Sequence, residues 1–155
     1  MTQTEFFADS MLGKLARWLR LMGFSVEYAK PERTDDDILT TCIEKGLFLL
    51  TRDRELAQRY PNSMYMPSDK YPEQLRIFLA TFKPDKSLYF SRCPLCNGKT
   101  VKTLIRDFEG EVPEGVRERF EHIYVCSVCG KIYWEGSHFE AILKTIKGLT
   151  GEETE

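Results

Sequence analysis

No stretch of this 155-residue sequence approaches the roughly 18 consecutive apolar residues that a membrane helix needs. The opening "MTQTEFFADS" lacks the basic start and long apolar core of a secretory signal. The expectation is a cytoplasmic chain with no membrane partner. An excess of one charge is missing as well: 22 Lys and Arg stand against 24 Asp and Glu, for a net charge of −2. Residues 1–85 hold 12 basic and 13 acidic side chains, and residues 86–155 hold 10 and 11. Neither part is a polybasic arm that binds nucleic acid by charge alone. An acidic catalytic cluster would offset a basic binding surface in such a total, so charge does not settle the partner.

Cysteine is scarce but patterned. Four of the five cysteines form two pairs, "CPLC" (Cys93, Cys96) and "CSVC" (Cys126, Cys129), while Cys42 stands alone. In a chain without an export signal, such pairs read as metal ligands rather than a disulfide framework. Two residues between thiols let both sulfurs of a tight turn reach one ion. The glycine after each pair, Gly98 and Gly130, is expected to supply the left-handed backbone of a knuckle. Two knuckles make a closed four-thiolate zinc site, structural and not catalytic. The 29 residues between them suit a ribbon with an extended hairpin. With four sulfurs available, His122 and His138 read as surface or packing residues. Cys42, on the apolar face of a helix, reads as a small core residue.

The first 80 residues alternate between two periods. "EFFA" (5–8) is a short strand ending at Asp9, and Leu12, Leu15, Ala16, Leu19 and Met22 recur at helical spacing before Gly23. "FSVEYA" (24–29) alternates like a half-buried strand, and Ile38, Leu39, Cys42 and Ile43 mark a helix ending near Gly46. "LFLLT" (47–51) is a buried strand, "DRELAQRY" a short helix, "SMYM" (63–66) a strand and "YPEQLRIFLATF" (71–82) an amphipathic helix. The pattern predicts an α/β domain with a mostly parallel sheet. "KPDKS" (83–87) is the expected linker, giving an α/β domain over 1–85 and a zinc-ribbon module with a C-terminal helix over 86–155. "SLYF" and "HIYVC" read as strands of that module, and His138 to about Lys147 as its helix.

In parallel sheets ligands bind outside the carboxyl ends of the strands. Asp9, Asp35-Asp36-Asp37, Asp53 and Asp69 each follow a strand, so they fall at one edge if the strands are parallel. Carboxylates so gathered suit magnesium or manganese, which take oxygen ligands and keep several waters. Such an ion activates a water and neutralises charge on a scissile phosphate. Asp9, the Asp35–Asp37 run and Asp53 also have a plain reading as helix caps, with Thr34 or Asp35 before one helix and Thr51 or Asp53 before the next. On the first helix Lys14, Arg17 and Arg20, three residues apart, share a polar strip about 120° wide beside Trp18. Lys and Arg suit phosphates, and an aromatic suits an unpaired base. Arg52 and Arg54 flank Asp53, to hold phosphate or to pair with acids.

"FADSMLGKLARWLRLMGF", "TDDDIL", "LLTRDREL", the two cysteine knuckles and "YWEGSHFE", in that order over residues 5–147, resemble the C-terminal RNase domain of the mut-7 exonuclease family, which also occurs as stand-alone prokaryotic proteins. The resemblance implies a PIN-like nuclease fold followed by a zinc ribbon, and a metal-dependent ribonuclease. It carries its acids onto Asp9 and Asp53, onto Asp35 or Asp36, and onto Asp69; it carries the ribbon ligands onto Cys93, Cys96, Cys126 and Cys129. It sets His138 at a motif position, for contact with RNA or for joining the two modules. The resulting expectation is hydrolysis of RNA, in single-stranded form, at a magnesium or manganese site, with Lys14, Arg17, Trp18, Arg20, Arg52 and His138 touching the strand. The rival is a non-catalytic RNA-binding or ribosome-associated module, with an antitoxin partner as a variant of the first reading.

Overall fold

The computed structural model describes residues 3–151, apart from the side chain of His138. Two compact units make up the chain, Met1–Asn97 and Gly98–Glu155.

In the first unit β1 (Phe6–Ala8), α1 (Gly13–Leu21), β2 (Val26–Tyr28), α2 (Asp35–Lys45), β3 (Phe48–Thr51), α3 (Arg54–Arg59), β4 (Ser63–Tyr65) and α4 (Tyr71–Thr81) follow the predicted alternation. The strands form one parallel sheet in the order β2-β1-β3-β4. Ala8 pairs with Tyr28 on one side and Leu50 on the other, and Thr51 pairs with Tyr65. All four strands therefore end at the same edge. The chain leaves β1 toward β2 on one side and later returns to β3 on the other, which makes the β1/β3 junction the switch point where a parallel sheet opens a crevice.

β1 is buried along its whole length. Phe6 is packed edge-on against Phe24, Phe48, Phe78 and Phe82, with ring centroids 4.8–5.9 Å apart. Phe7 joins Ala29, Ile38, Cys42, Leu47, Leu49, Leu56 and Tyr60 in a second cluster, and Arg33 lies over its ring with the guanidinium carbon 5.3 Å from the centroid. Cys42 is the core residue expected; burial pushes its thiol up to about 11. The Tyr60 hydroxyl donates to the carbonyl of Leu47 at 2.8 Å, tying the entry to β3 to the end of α3.

"SLYF" is not a strand. Asp85 accepts hydrogen bonds from the backbone N–H and hydroxyl of Ser87 and starts a 3-10 turn at Lys86–Leu88. A side chain that captures its neighbour's N–H offers the backbone an alternative to a ladder.

In the second unit β5 (Thr100–Leu104), β6 (His122–Cys126) and β7 (Ile132–Tyr133) form an antiparallel sheet in chain order. The connection from β5 to β6 is not a plain hairpin. It carries a 3-10 turn and a short helix, α5 (Glu114–Arg119), whose Val116 packs with Ile105 and Ile123. The last helix, α6 (Ser137–Thr150), extends past the predicted end and buries Ile142 and Ile146. Among the described residues no helix is long and apolar enough to cross a membrane.

Phe78 is fully buried and touches Phe6, Phe24 and Phe82. Phe78→Ala should cost about 3–5 kcal/mol, the usual loss for emptying a buried aromatic site. Urea denaturation measures it, and a loss below about 1 kcal/mol would mean that the aromatic cluster is not the core of the sheet.

Candidate functional site

Asp9 follows β1 at the switch point and is 7% exposed. Three donors hold its carboxylate: the Thr51 hydroxyl at 2.5 Å and the Arg52 N–H at 2.9 Å on Oδ2, and the Met11 N–H at 3.1 Å on Oδ1. Thr51, the last residue of β3, is fully buried. Its Oγ1 also accepts the N–H of Asp53 at 2.9 Å. A continuous chain thus runs from Asp9 through the Thr51 hydroxyl to the backbone of Asp53. Reading the sequence offered Thr51 only as a cap for α3; the cap is Asp53, and Thr51 is the bridge. Its signal was there: a lone hydroxyl ending an otherwise apolar strand two residues before an acid.

Asp53 is exposed and caps α3, its Oδ1 accepting the N–H of Leu56 at 3.1 Å. Asp35, Asp36 and Asp37 are exposed in the first turn of α2, where Thr34 is the cap and accepts the N–H of Asp37. Asp36 pairs with Arg59 at 2.7 Å. Asp69 is exposed in the loop between β4 and α4. The parallel sheet thus sets every predicted acid beyond the same strand edge. Hydrogen bonding links Asp9 and Asp53. Among the described residues these carboxylates do not close into a cluster with converging donor atoms.

The basic residues divide. Lys14 and Arg17 are exposed on α1. Trp18 is half-buried and lies parallel to Tyr71, with centroids 5.9 Å apart and planes 9° apart. Arg20 does not share their face. Each step of three residues turns the helix back by about 60°, and by Arg20 the strip has rotated into the protein, leaving the residue 7% exposed. Its Nε donates to the Val26 carbonyl at 2.9 Å and its Nη1 to the Pro94 carbonyl at 3.0 Å. Burial pulls its pKa down, while the sulfurs of Cys96 and Cys93 push it back up. Arg52 likewise spends its guanidinium on carbonyls, those of Met66 and Pro67, at 3.4 and 3.2 Å. Arg54 lies over Tyr65, with its guanidinium carbon 5.3 Å from the ring centroid. His138 is the second residue of α6, its side chain outside the described residues.

The sulfurs of Cys93, Cys96, Cys126 and Cys129 all lie within 4.8 Å of one another. Zinc–sulfur bonds of about 2.3 Å in a tetrahedron set sulfurs about 3.8 Å apart, so four thiols at this spacing fit a zinc ion. The backbone supports that fit. The N–H groups of Val128 and Cys129 both point to the Cys126 sulfur at 3.4 Å. Each knuckle closes with the same bond, Asn97 N–H to the Cys93 carbonyl at 2.9 Å and Gly130 N–H to the Cys126 carbonyl at 3.0 Å. The left-handed residue of the second knuckle is Gly130, as expected, with φ of 77°. In the first knuckle it is Asn97, with φ of 69°, and not Gly98. Gly98 is needed for a different reason: a Cβ there would lie 2.8 Å from the Cys126 sulfur.

The first knuckle is fastened to the parallel sheet. Asn97 accepts the N–H of Val26 at 3.0 Å and donates to the Ser25 hydroxyl at 3.2 Å, while Arg20 bridges the Val26 and Pro94 carbonyls.

A family model described as the Mut7-C RNAse domain matches residues 4–146. The chain belongs to the Mut7-C RNAse domain family. No curated protein and no solved structure matches it. In this member the four cysteines form a cluster compatible with a zinc ribbon, and the parallel sheet carries its acids at the strand ends.

Replacing Thr51 by Val keeps the shape and removes the hydroxyl that bridges Asp9 and the N–H of Asp53. Leaving buried polar groups without a partner costs about 1–3 kcal/mol. Thr51→Val should lose that much in chemical denaturation while Thr51→Ser loses much less. A Thr51→Val chain as stable as the wild type, with the loss falling on Thr51→Ser, would show that the methyl group, not the hydroxyl, matters at this position.

Proposed function

We propose that this Mut7-C family member is a metal-dependent ribonuclease whose site lies at the carboxyl edge of the parallel sheet. The observation that carries the reading is the Asp9–Thr51–Asp53 chain at the β1/β3 switch point. A buried carboxylate is costly unless donors meet it, and here three donors hold it at a sheet edge that also carries exposed acids. That is more than helix capping requires.

Asp9 and Asp53 would hold a magnesium or manganese ion, with Asp69 and one acid of α2 completing the set. Asp35 is the better choice on α2, because Asp36 is engaged by Arg59. A few carboxylates suffice, since magnesium keeps several of its waters. When bound, such an ion supplies activation of a water and neutralises charge on the phosphate being cut. The protein's own part is orientation. Thr51 and the N–H groups of Met11 and Arg52 fix the Asp9 carboxylate, and Lys14 and Arg17 hold flanking phosphates of a single-stranded RNA. Arg20 and Arg52 serve the scaffold instead: one binds the knuckle to the edge of β2, the other holds the loop after β4. The four cysteines would hold a zinc ion that folds the ribbon and takes no part in the chemistry.

The decisive substitution is Asp53→Asn. Asparagine caps a helix as well as aspartate does, so the change separates capping from metal binding. Manganese-dependent cleavage of labelled single-stranded RNA should fall by about a hundredfold or more, with circular dichroism unchanged. Asp9→Asn should abolish cleavage as well, with a loss of stability, because its amide NH2 faces one of the donors that the carboxylate accepts. If the wild-type chain binds RNA and cuts none in manganese, the ribonuclease reading fails and the chain is a binding module.

Metal analysis of the purified chain should find one zinc per chain, lost in Cys126→Ser together with thermal stability. A wild-type chain that folds equally well after zinc is stripped would remove the structural role assigned to the ion.

A further inference from the structure

We propose that an open cleft between the start of α1 and the start of α4 is a nucleotide subsite, holding one unpaired base and its phosphate beside the carboxylates. The inference rests on the ribonuclease reading and deepens it. The cleft measures about 490 Å³, and its lining includes Met11, Lys14, Asp69, Lys70, Tyr71 and Arg76. That size is within the range of small-ligand sites.

Three observations assign the chemistry. First, the cleft is continuous with the acidic edge. Met11 lines it, and the Met11 N–H holds the Asp9 carboxylate. Asp69, one of the edge acids, stands in its wall. Second, the wall is held in shape before any ligand arrives. Arg52 pins the Met66 and Pro67 carbonyls, and Ser68 is fixed from both sides. Its hydroxyl accepts the Lys70 N–H at 3.1 Å, and its carbonyl accepts the amide of Gln74, a residue 3% exposed, at 2.8 Å. Third, the lining combines a flat aromatic with cations. Tyr71 is kept parallel to Trp18, and the Lys14 ammonium is 5.7 Å from the Tyr71 centroid.

Lys14, Lys70 and Arg76 outnumber Asp69 and Glu73 in the lining. The start of α4 adds to them, since it has no side-chain cap and an uncapped helix start favours an anion. Met11, 66% exposed at the rim, offers an apolar surface to a base. A rigid ring, a thioether and a majority of cations match a stacked base joined to a phosphate. A protein ligand would not require the ring, and a bare phosphate would use neither the ring nor Met11.

The test is fluorescence anisotropy of a labelled oligouridylate with the full wild-type chain, without added magnesium or manganese so that the strand stays whole. Base stacking on one aromatic side chain corresponds to about a tenfold change in affinity. Tyr71→Leu, which keeps bulk, should weaken binding by about that factor. The exposed Lys70→Glu should weaken it by severalfold, and an abasic strand should bind the wild type about as poorly as the intact strand binds Tyr71→Leu. Equal binding of intact and abasic strands would overturn the subsite, as would unchanged affinity in both variants or no binding by the wild type. The manganese cleavage assay decides the ribonuclease reading separately. Loss of binding in both variants with no cleavage by the wild type keeps the subsite and removes the enzyme; cleavage with unaltered binding does the reverse.

Discussion

A carboxylate taken out of water has to be met by donors, and the way Asp9 is met organises the first unit. Its three partners come from two places, the start of the β1–α1 connection and the end of β3. They can converge only if β1 and β3 lie side by side and in parallel, with Ala8 opposite Leu50. Pairing, register and loop geometry are thereby tied to one side chain. Were β3 to slip by one residue, Thr51 would face the other side of the sheet, and the carboxylate would keep its burial without its bridge. Burial fixes the acid's position, and position is what the chemistry of a strand-end site requires.

The knuckle carrying Cys93 and Cys96 solves a second problem of the same sheet. β2 is an edge strand, and edge strands present unpaired backbone groups. Asn97 takes up the N–H of Val26, and Arg20 takes up its carbonyl. The cysteine turn is therefore also edge cover. One residue serves both ends of this arrangement: Asn97 adopts the left-handed backbone that closes the knuckle and points its amide at the strand. Glycine would permit the backbone and lose the cover, which gives a physical reason for asparagine at this position.

Much of this was legible in the sequence because its signals were strong. Alternating periods announced the α/β layering, paired cysteines announced the metal cluster, and acids placed after apolar runs announced a strand edge. What escaped depended on three-dimensional detail. Arg20 looked like a neighbour of Lys14 and Arg17 because a spacing of three resembles one face; two steps of rotation carried it inside. Asn97 was overlooked because Gly98 next to it fits the common rule for knuckles, yet Gly98 answers to a steric limit set by a sulfur far along the chain. Helix α5 was not read from the sequence, although Pro113 before it, Glu114 in its first turn and Arg117 and Arg119 in its last are ordinary helix signals. "SLYF" has strand composition, but Asp85 just before it captures the backbone locally. Local competition of this kind leaves composition unchanged and alters the outcome.

The placement of the cations follows from their chemistry. Arginine offers a planar fork of donors that can satisfy two acceptors at once, and lysine a compact charge on a flexible stem. Three arginine forks of this unit are turned to the scaffold: Arg20 joins two carbonyls from segments remote in sequence, Arg52 joins two in one loop, and Arg33 holds the Asp37 carbonyl and the Thr41 hydroxyl of α2. Lys14 and Lys70, with Arg76, line the open cleft. In the proposed subsite, a compact charge on a flexible stem can follow a strand as it enters and leaves. The near-neutral total charge conceals this separation, because cations that build the protein and cations that face solvent count alike in a sum.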